Sequence, residues 1–365
     1  GESKTLFLVS NILIHIILSV EFSTYTLHWY YNNQRDLPWR ASKEPYKVWI
    51  SEIILQQTRV AQGIDYYEAF VAAFPTIKDL ALADEEQVLK LWQGLGYYSR
   101  ARNIHFTAKY IYFNLQNKFP TNYKDLLKLK GVGPYTAAAI SSICYNEKQA
   151  AVDGNVYRVL SRVFNINTPI NSSAGIKEFQ CLADSLINTK SPGDYNQALM
   201  ELGAIICTPK KANCQQCPLQ SKCIAFSKNL VGELPVKEKK IIIKNRFLNY
   251  YCIEHQNQIL INKREKKDIW LNLYDFPVDE FNSAIEFANE APSEYLLNLV
   301  GGQDFVVKKS ISYKHKLSHQ HLHINIQHIK PVNYIIQNKY ILLNKIEILK
   351  LPVPKPIEEF LKELF

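Results

Sequence analysis

Between Tyr123 and Arg162 the chain reads YKDLLKLKGVGPYTAAAISSICYNEKQAAVDGNVYRVLSR, and no other stretch restricts the fold as much. Leu126, Leu127 and Leu129 give one apolar helical face, which Gly131-Val132-Gly133 interrupts. Pro134 stands where a first helical residue is favoured, and the Ala-rich run from Tyr135 to Ile143 continues as a second helix. Two short helices joined by Gly-x-Gly form a helix-hairpin-helix. Glycine lets backbone approach a phosphate closely, and the free N–H groups of the next helix point at it. Gly131 and Gly133 are therefore candidate nucleic-acid contacts. GVG alone would suit an ordinary helical hairpin better. The balance changes with VDGNVYRVLSR, which sets Asp153 just ahead of an amphipathic helix carrying Arg158 and Arg162.

The rest of the chain falls into two characters. Residues 22–225 read as all-α, with short loops between helices at 22–31, 76–82, 85–93, 99–117 and 174–187, and one long helical region from Pro45 to Phe70. VGELPVKEKKIIIKNR then forms a charged linker. Beyond it RFLNYYCIE, QILINKRE, YKHKLSHQHLHINIQHI and NKYILL are strand patterns, interrupted by one helix near Pro292–Leu299. The expected division is an extension of unknown role over 1–21, a helical domain over 22–228, a linker over 229–240 and an α+β domain over 241–365. A net charge of +9 and 22 tyrosines fit a nucleic-acid partner, where cations neutralise phosphate and aromatics stack. Thr5–Val20 is apolar but broken by Ser10, Asn11 and His15, and is short for a membrane span of ~20 residues. No membrane association is expected.

Two residue sets carry chemistry on their own terms. Glu52 lies between Ile50 and Ile53 on an apolar helix, where desolvation raises a carboxyl pKa unless a partner offsets it. A surface Glu at a helix border is the equally good bland reading. Seven cysteines are an odd number, and four of them fall at Cys207, Cys214, Cys217 and Cys223. That clustering argues for a metal centre in a reducing compartment and against a secreted disulfide framework. Four thiolates in one loop can hold zinc or a [4Fe–4S] cluster, and zinc ribbons favour two C-x-x-C pairs where only one is present. Cys144, Cys181 and Cys252 read as inert core thiols.

LKGVGPYTAAAI followed by VDGNVYRVLSR resembles the helix-hairpin-helix DNA glycosylases with the Gly/Pro-Asp signature. Within them the chain is similar to the MutY-type adenine DNA glycosylases from about residue 22 to the end. The resemblance implies a helical glycosylase domain with a [4Fe–4S] loop at 207–223, whose cysteine spacing it matches, followed by a Nudix-like domain. It implies base removal from double-stranded DNA carrying adenine opposite 8-oxoguanine or guanine, by a monomeric, cytoplasmic, nucleoid-associated bacterial repair enzyme.

Site roles follow residue by residue. SEIILQQT resembles the stretch with the essential acid, so Glu52 would protonate adenine N7. Asp153, kept ionised, would stabilise the deoxyribosyl cation, and water would complete hydrolysis. Asp153 also suits an N-cap, and both roles can hold at once. Asn155 would orient water or the carboxylates. Tyr135 occupies the position that bifunctional relatives fill with lysine; Tyr forms no Schiff base, so chemistry would stop at base removal. Gln57 and Tyr97 would enter the stack as adenine leaves, with a core aromatic as the plainer reading of Tyr97. Arg35, Leu37, Trp39, Arg40 and Gln197 match positions lining the adenine pocket.

KDIWLNLYDFP resembles a MutT-like (Nudix-fold) stretch, but the acidic Nudix box is absent after it, which implies a binding module. HKLSHQHLHINI resembles the loop that reads 8-oxoguanine. Leu317 replaces the usual Phe, while Ser318 and His319 are kept. A strand that happens to be His-rich is the plainer alternative. The rival functions are an endonuclease III-like pyrimidine glycosylase/lyase, opposed by Tyr135, and a catalytically dead iron–sulfur DNA-binding protein, opposed by Glu52 and Asp153.

Overall fold

The computed structural model describes residues 20–238, 243–288, 291–302, 304–332 and 340–365. All but the last residue of the apolar Thr5–Val20 segment, the end of the linker and the start of NKYILL lie outside them. The chain forms two compact units, residues 20–81 with 106–238, and residues 82–105 with 243–365. The segment 82–105 thus groups with the C-terminal part of the chain.

The first unit is helical. Helix α1 covers residues 20–33, and α2 (Pro45–Ile54), α3 (Val60–Ala73), α4 (Ile77–Leu82), α5 (Glu85–Leu91), α6 (Ser99–Asn114), α7 (Tyr123–Leu126), α8 (Pro134–Tyr145), α9 (Gly154–Phe164), α10 (Ser173–Leu186) and α11 (Pro192–Ile205) follow in order. Of these, α5 and the first turns of α6 group with the second unit. The expected long helix from Pro45 to Phe70 is two helices. The backbone turns between Leu55 and Arg59, and Gln57 takes a left-handed φ of 58°, which no helix continues through.

The first arm of the hairpin is shorter than the leucine pattern predicts. Helix α7 is a single turn, capped by the Asn122 side chain accepting from the Asp125 N–H. Gly131 then adopts φ 82°, and Gly133 caps α8 with Pro134 at its first position. Helices α8 and α9 each end on an asparagine in the left-handed region, Asn146 and Asn165, the C-terminal cap that Asn tolerates better than most side chains.

Amphipathic α9 buries Val156, Val159, Leu160 and Val163 against Phe179 and Ala183 of α10 and Tyr195, Ala198, Leu199 and Leu202 of α11. Each such side chain contributes roughly 1.5–3 kcal/mol on burial. At Gly203 a Cβ would come within 2.5 Å of the Asn155 Cβ, so this glycine sets the close approach of α11 to the start of α9. Arg158 and Arg162 point inward. Arg158 donates to the Gly203 and Cys207 carbonyls and to Asn155 Oδ1, and Arg162 to the Leu234, Thr208 and Pro209 carbonyls. They brace the cysteine loop and are not free cations for DNA.

The second unit is built on a sheet of seven strands: β1 (Lys244–His255), β2 (Gln258–Lys263), β3 (Tyr274–Asp275), β4 (Val278–Phe281), β5 (Phe305–Lys316), β6 (Gln320–Pro331) and β7 (Ile341–Asn344). β1 runs parallel to β6, and the remaining pairs are antiparallel. The run YKHKLSHQHLHINIQHI is not one strand but the tip and return of the β5–β6 hairpin, where the Leu317 N–H donates to the Gln320 carbonyl at 2.8 Å. The C-terminal helix Lys355–Leu364 was not foreseen, although its buried Ile357, Phe360 and Leu361 follow helical spacing. In place of an acidic Nudix box, Arg246 pairs with Asp268 and Glu280, and Arg264 with Asp268 and the fully buried Asp275. Those carboxylates are neutralised by guanidinium.

Candidate active site

A cavity of about 580 Å³ opens in the first unit, and most of the expected pocket residues line it: Arg35, Leu37, Trp39, Arg40, Glu52, Gln57, Tyr135, Asp153, Asn155 and Gln197. They arrive from six places in the chain, Gln197 from α11 among them. The turn after α1 supplies the arginines, α2 brings Glu52, the turn after it Gln57, α8 Tyr135, and α9 Asp153 and Asn155. The apolar side of α2 must face the core, and Glu52 shares that side with Val48 and Ile53, so the carboxyl is carried inward with them.

Burial pushes Glu52 up to about 7, the nearby Asp153 charge adds to this, and a hydrogen bond from Tyr135 acts the other way. The Tyr135 hydroxyl donates to Glu52 Oε2 at 2.6 Å and lies 3.1 Å from the Met200 sulfur. Asp153 is also raised by burial, but four contributions from its surroundings act against this: the Val156 N–H, the Asn155 amide, the Asn155 N–H and the Arg158 charge all lower it. Asp153 Oδ1 accepts from the Asn155 and Val156 N–H groups at 2.9 and 2.8 Å, and Oδ2 from Asn155 Nδ2 at 2.7 Å. The N-cap and a cavity-lining carboxylate are thus one side chain. Of two carboxyl groups in one pocket, Glu52 has the Tyr135 hydroxyl as donor and Asp153 has three donors, so the ionised form is better supported at Asp153.

Glu201 was not singled out from sequence, yet it organises the mouth of this cavity. It is 1% exposed and accepts from Arg35 Nε and Nη2, both at 2.7 Å, from the Arg35 N–H at 3.0 Å and from Arg40 Nη2 at 2.8 Å. Burial alone would raise its pKa, but these donors more than offset it and hold the carboxyl at about 2. The available signal was a lone acid in the apolar run ALMELGAI, the same pattern that marked Glu52. Arg35 and Arg40 are therefore held by a partner, and Arg40 further donates to the Arg35 carbonyl.

Gly131 and Gly133 sit in the hairpin turn and do not line the cavity. Tyr97, Ser318 and His319 belong to the second unit. There Tyr97 has φ 46° and is 39% exposed, and its hydroxyl lies 2.7 Å from Ser318 Oγ. Ser318 Oγ is 3.3 Å from His319 Nδ1. A cavity of about 870 Å³ adjoins this tip, with Tyr97, Trp270, Leu317 and His319 on its walls. Leu317 keeps the tip closed through its backbone and fills part of that wall.

The four loop cysteines are free thiols and surround one small apolar cavity with Arg162 and Leu202. Arg162 Nη1 donates to Cys207 Sγ at 3.3 Å. Burial raises Cys214 and Cys223 and pushes Cys217 up to about 12, so thiolates here need a compensating cation. Among the described residues no three His, Cys, Asp or Glu side chains converge as ligands of a single ion. The all-thiolate donor set fits an iron–sulfur cluster, in which each cysteine binds a different iron. Of the other cysteines, Cys252 is buried as expected, but Cys181 is exposed on α10.

Residues 50–180 match the family model described as HhH-GPD superfamily base excision DNA repair protein, and residues 249–363 match the NUDIX domain. A relative from Buchnera aphidicola subsp. Schizaphis graminum, named adenine DNA glycosylase, is 38% identical over 355 residues, covering 93% of this chain and 98% of its own. The chain belongs to the adenine DNA glycosylase family. Its mouse member is 39% identical over 265 residues, 70% of this chain and 51% of the mouse protein. Among solved structures, a thermostable thymine-DNA glycosylase matches with a TM-score of 0.53 at 29% identity, covering 57% of this chain and 97% of that one. An endonuclease III–DNA complex matches at 0.50 and 20% identity over 57% of this chain and 94% of its own, a likeness of fold alone. No helix among the described residues is long and apolar enough to cross a membrane.

Proposed function

We propose that this protein is a monofunctional base-excision glycosylase that hydrolyses the N-glycosidic bond of adenine mispaired with 8-oxoguanine or guanine in double-stranded DNA. The observation that carries the reading is the pairing of Glu52 and Asp153 in one cavity with opposed environments. Glu52, with a pKa near neutrality, is the general acid that protonates adenine N7 and makes the base a leaving group. Asp153, ionised and fixed by three donors, stabilises the positive charge that develops on the deoxyribose as the bond breaks. A water molecule oriented by Asn155 and the carboxylates then adds to the sugar carbon. Tyr135 holds Glu52 and supplies no amine, so the strand stays intact.

Arg35, Leu37, Trp39, Arg40 and Gln197 receive the extruded adenine, with Glu201 fixing the two arginines. Gln57 and Tyr97 fill the space the base leaves in the stack, and Gly131 and Gly133 present backbone N–H groups to a phosphate. Ser318 and His319 read the lesion opposite adenine. Cys207, Cys214, Cys217 and Cys223 would hold a [4Fe–4S] cluster that supplies a structural cross-link within the loop, and Arg162 joins that loop to α9. The enzyme acts as a monomer in the bacterial cytoplasm, on nucleoid DNA.

Single-turnover assays on duplexes with A:8-oxoguanine, A:G and A:T pairs test this. Adenine release from the first two, with an unbroken abasic strand and no borohydride trapping, is the expected result. Strand cleavage without added base or heat would favour the lyase rival.

A further inference from the structure

The β5–β6 hairpin, residues 305–331, contains five lysines and five histidines and no Asp or Glu. Only part of that charge is used internally. Lys309 pairs with Glu363 and His328 with Glu254. Lys314 and Lys316 share one face through cross-strand register, with Lys316 opposite His321, Lys314 opposite His323 and Ser312 opposite Asn325, while His315 between them faces the other way. The lysines and Ser312 are exposed and their β6 neighbours half-buried.

This face is open for a reason. A cluster of Tyr251, Ile253 and Ile329 with Leu296 and Leu299 covers the end of the sheet remote from the hairpin tip, and Phe287 packs on Phe247 and Phe281 of β1 and β4, which leaves the exposed lysines on the edge strand β5. His323 is held in place beside Phe247. Its ring stacks on Phe247 with centroids 4.9 Å apart and planes 24° from parallel, and Nε2 lies 3.1 Å from Asn245 Oδ1. Like-charge neighbours are unusual across strands because they cost stability. Here burial, Lys314 and His321 all push the His323 imidazole below its ordinary value. The acid on this face is Asp279 of β4, opposite Asn249 on the far side of β1. Among the described residues neither Lys314 nor Lys316 has an ion-pair partner. Two exposed lysines that the fold leaves without an acidic partner beside the tip are suited to an external polyanion.

We propose that the open face of the β5–β6 hairpin is a phosphate track for duplex DNA, with Lys314, Lys316, His321 and His323 meeting the backbone next to the Ser318–His319 tip. This rests on the reading of the chain as a DNA enzyme. Same-face residues recur about every 6.8 Å along a strand, so the rows from Lys316 to Ser310 extend about 20 Å. That length matches about six base-pair steps at 3.4 Å each. Asn325 Oδ1 accepts from the Ser310 and Ser312 hydroxyls, and the Asn325 NH2 extends the track with a neutral donor of the kind that also contacts phosphate. Such contacts fix position on the duplex and carry no sequence information, leaving selectivity to the tip.

The test uses the full-length protein and a fluorescent, fully paired duplex, with affinity measured by anisotropy over a range of salt concentrations. The double variant Lys314→Gln/Lys316→Gln should lower the slope of log K against log salt by about 1.8, two phosphate contacts at ~0.9 each. Lys309→Gln, on the opposite face, should leave the slope unchanged. An unaltered slope and affinity in the double variant would overturn the proposal, as would an equal fall in Lys309→Gln. If the slope falls while wild-type protein releases no adenine, the track stands and the assigned reaction does not.

Discussion

Replacing Glu52 by Gln separates what this carboxyl does for the reaction from what it costs the fold. Its folded pKa is about 7 against an ordinary 4.5. At 1.36 kcal/mol per unit the ionised form is penalised by about 3 kcal/mol. The sign follows from proton binding. Below the ordinary value Glu52 is protonated in both folded and unfolded states and contributes no penalty. Between 4.5 and about 7 the unfolded chain releases its proton and the folded one retains it, so stability falls as pH rises. Above about 7 the penalty is constant. Gln keeps the carbonyl that accepts from Tyr135 and never ionises. Glu52→Gln should therefore melt higher than wild type at alkaline pH, by roughly 6–12 °C for a unit of this size, and at nearly the same temperature in mild acid. Adenine release should drop by about 10²–10⁴-fold, the usual contribution of a general acid, while mismatch affinity stays. Wild-type release should itself decline above about pH 7 as the acid ionises. A variant that melts lower than wild type at alkaline pH, or one that releases adenine at the wild-type rate, would refute the reasoning.

The other expectations follow from the same contacts. Glu201→Gln leaves two guanidinium groups without their carboxylate and should destabilise the protein by about 3 kcal/mol, read as a lower melting temperature near neutral pH, together with weaker adenine release. Because the Glu201 carboxyl is held at about 2, its contribution is complete above the ordinary Glu value and is lost as pH falls toward 2; melting curves of wild type and variant should converge in that range. Purified protein should be yellow-brown with about four irons per chain, and Cys217→Ser should lose colour and iron; stoichiometric zinc after anaerobic preparation would contradict the cluster. Ser318→Ala with His319→Ala should slow release from A:8-oxoguanine much more than from A:G, because a tip organised for the lesion's N–H donor discriminates by ~1–3 kcal/mol. Equal slowing on both duplexes would make the tip a general DNA contact.

The sequence by itself determined the elements whose signals are local. Gly131-Val132-Gly133-Pro134 encodes a turn and a helix start in its own backbone preferences, and Asp153 caps α9 with the side chain that begins it. The alternation of HLHINIQHI is the pleat written in residues, whereas RFLNYYCIE is buried without a break from Leu248 to Ile253, and the apolar surroundings of Glu52 already implied a raised pKa. Glu201 carried the same signal, but its importance comes from Arg35 and Arg40, which stand more than 160 positions away in the chain. No spacing rule connects them.

Long-range packing also decided where the charges went. Arg158 and Arg162 look like DNA contacts on an amphipathic helix, yet unpaired carbonyls at the cysteine loop draw them inward. The grouping of residues 82–105 with the C-terminal strands brings Tyr97 to Ser318, a pair 221 positions apart. Register alone places Lys314 beside His323 on an open face while Lys309, five residues back along the same unbroken ladder, is turned to the other side. Local propensity acts over a few bonds and is legible in order along the chain. The protonation states, the clamp on the arginines and the open cationic face depend on which distant surfaces exclude water together, and that is settled only when the chain has folded.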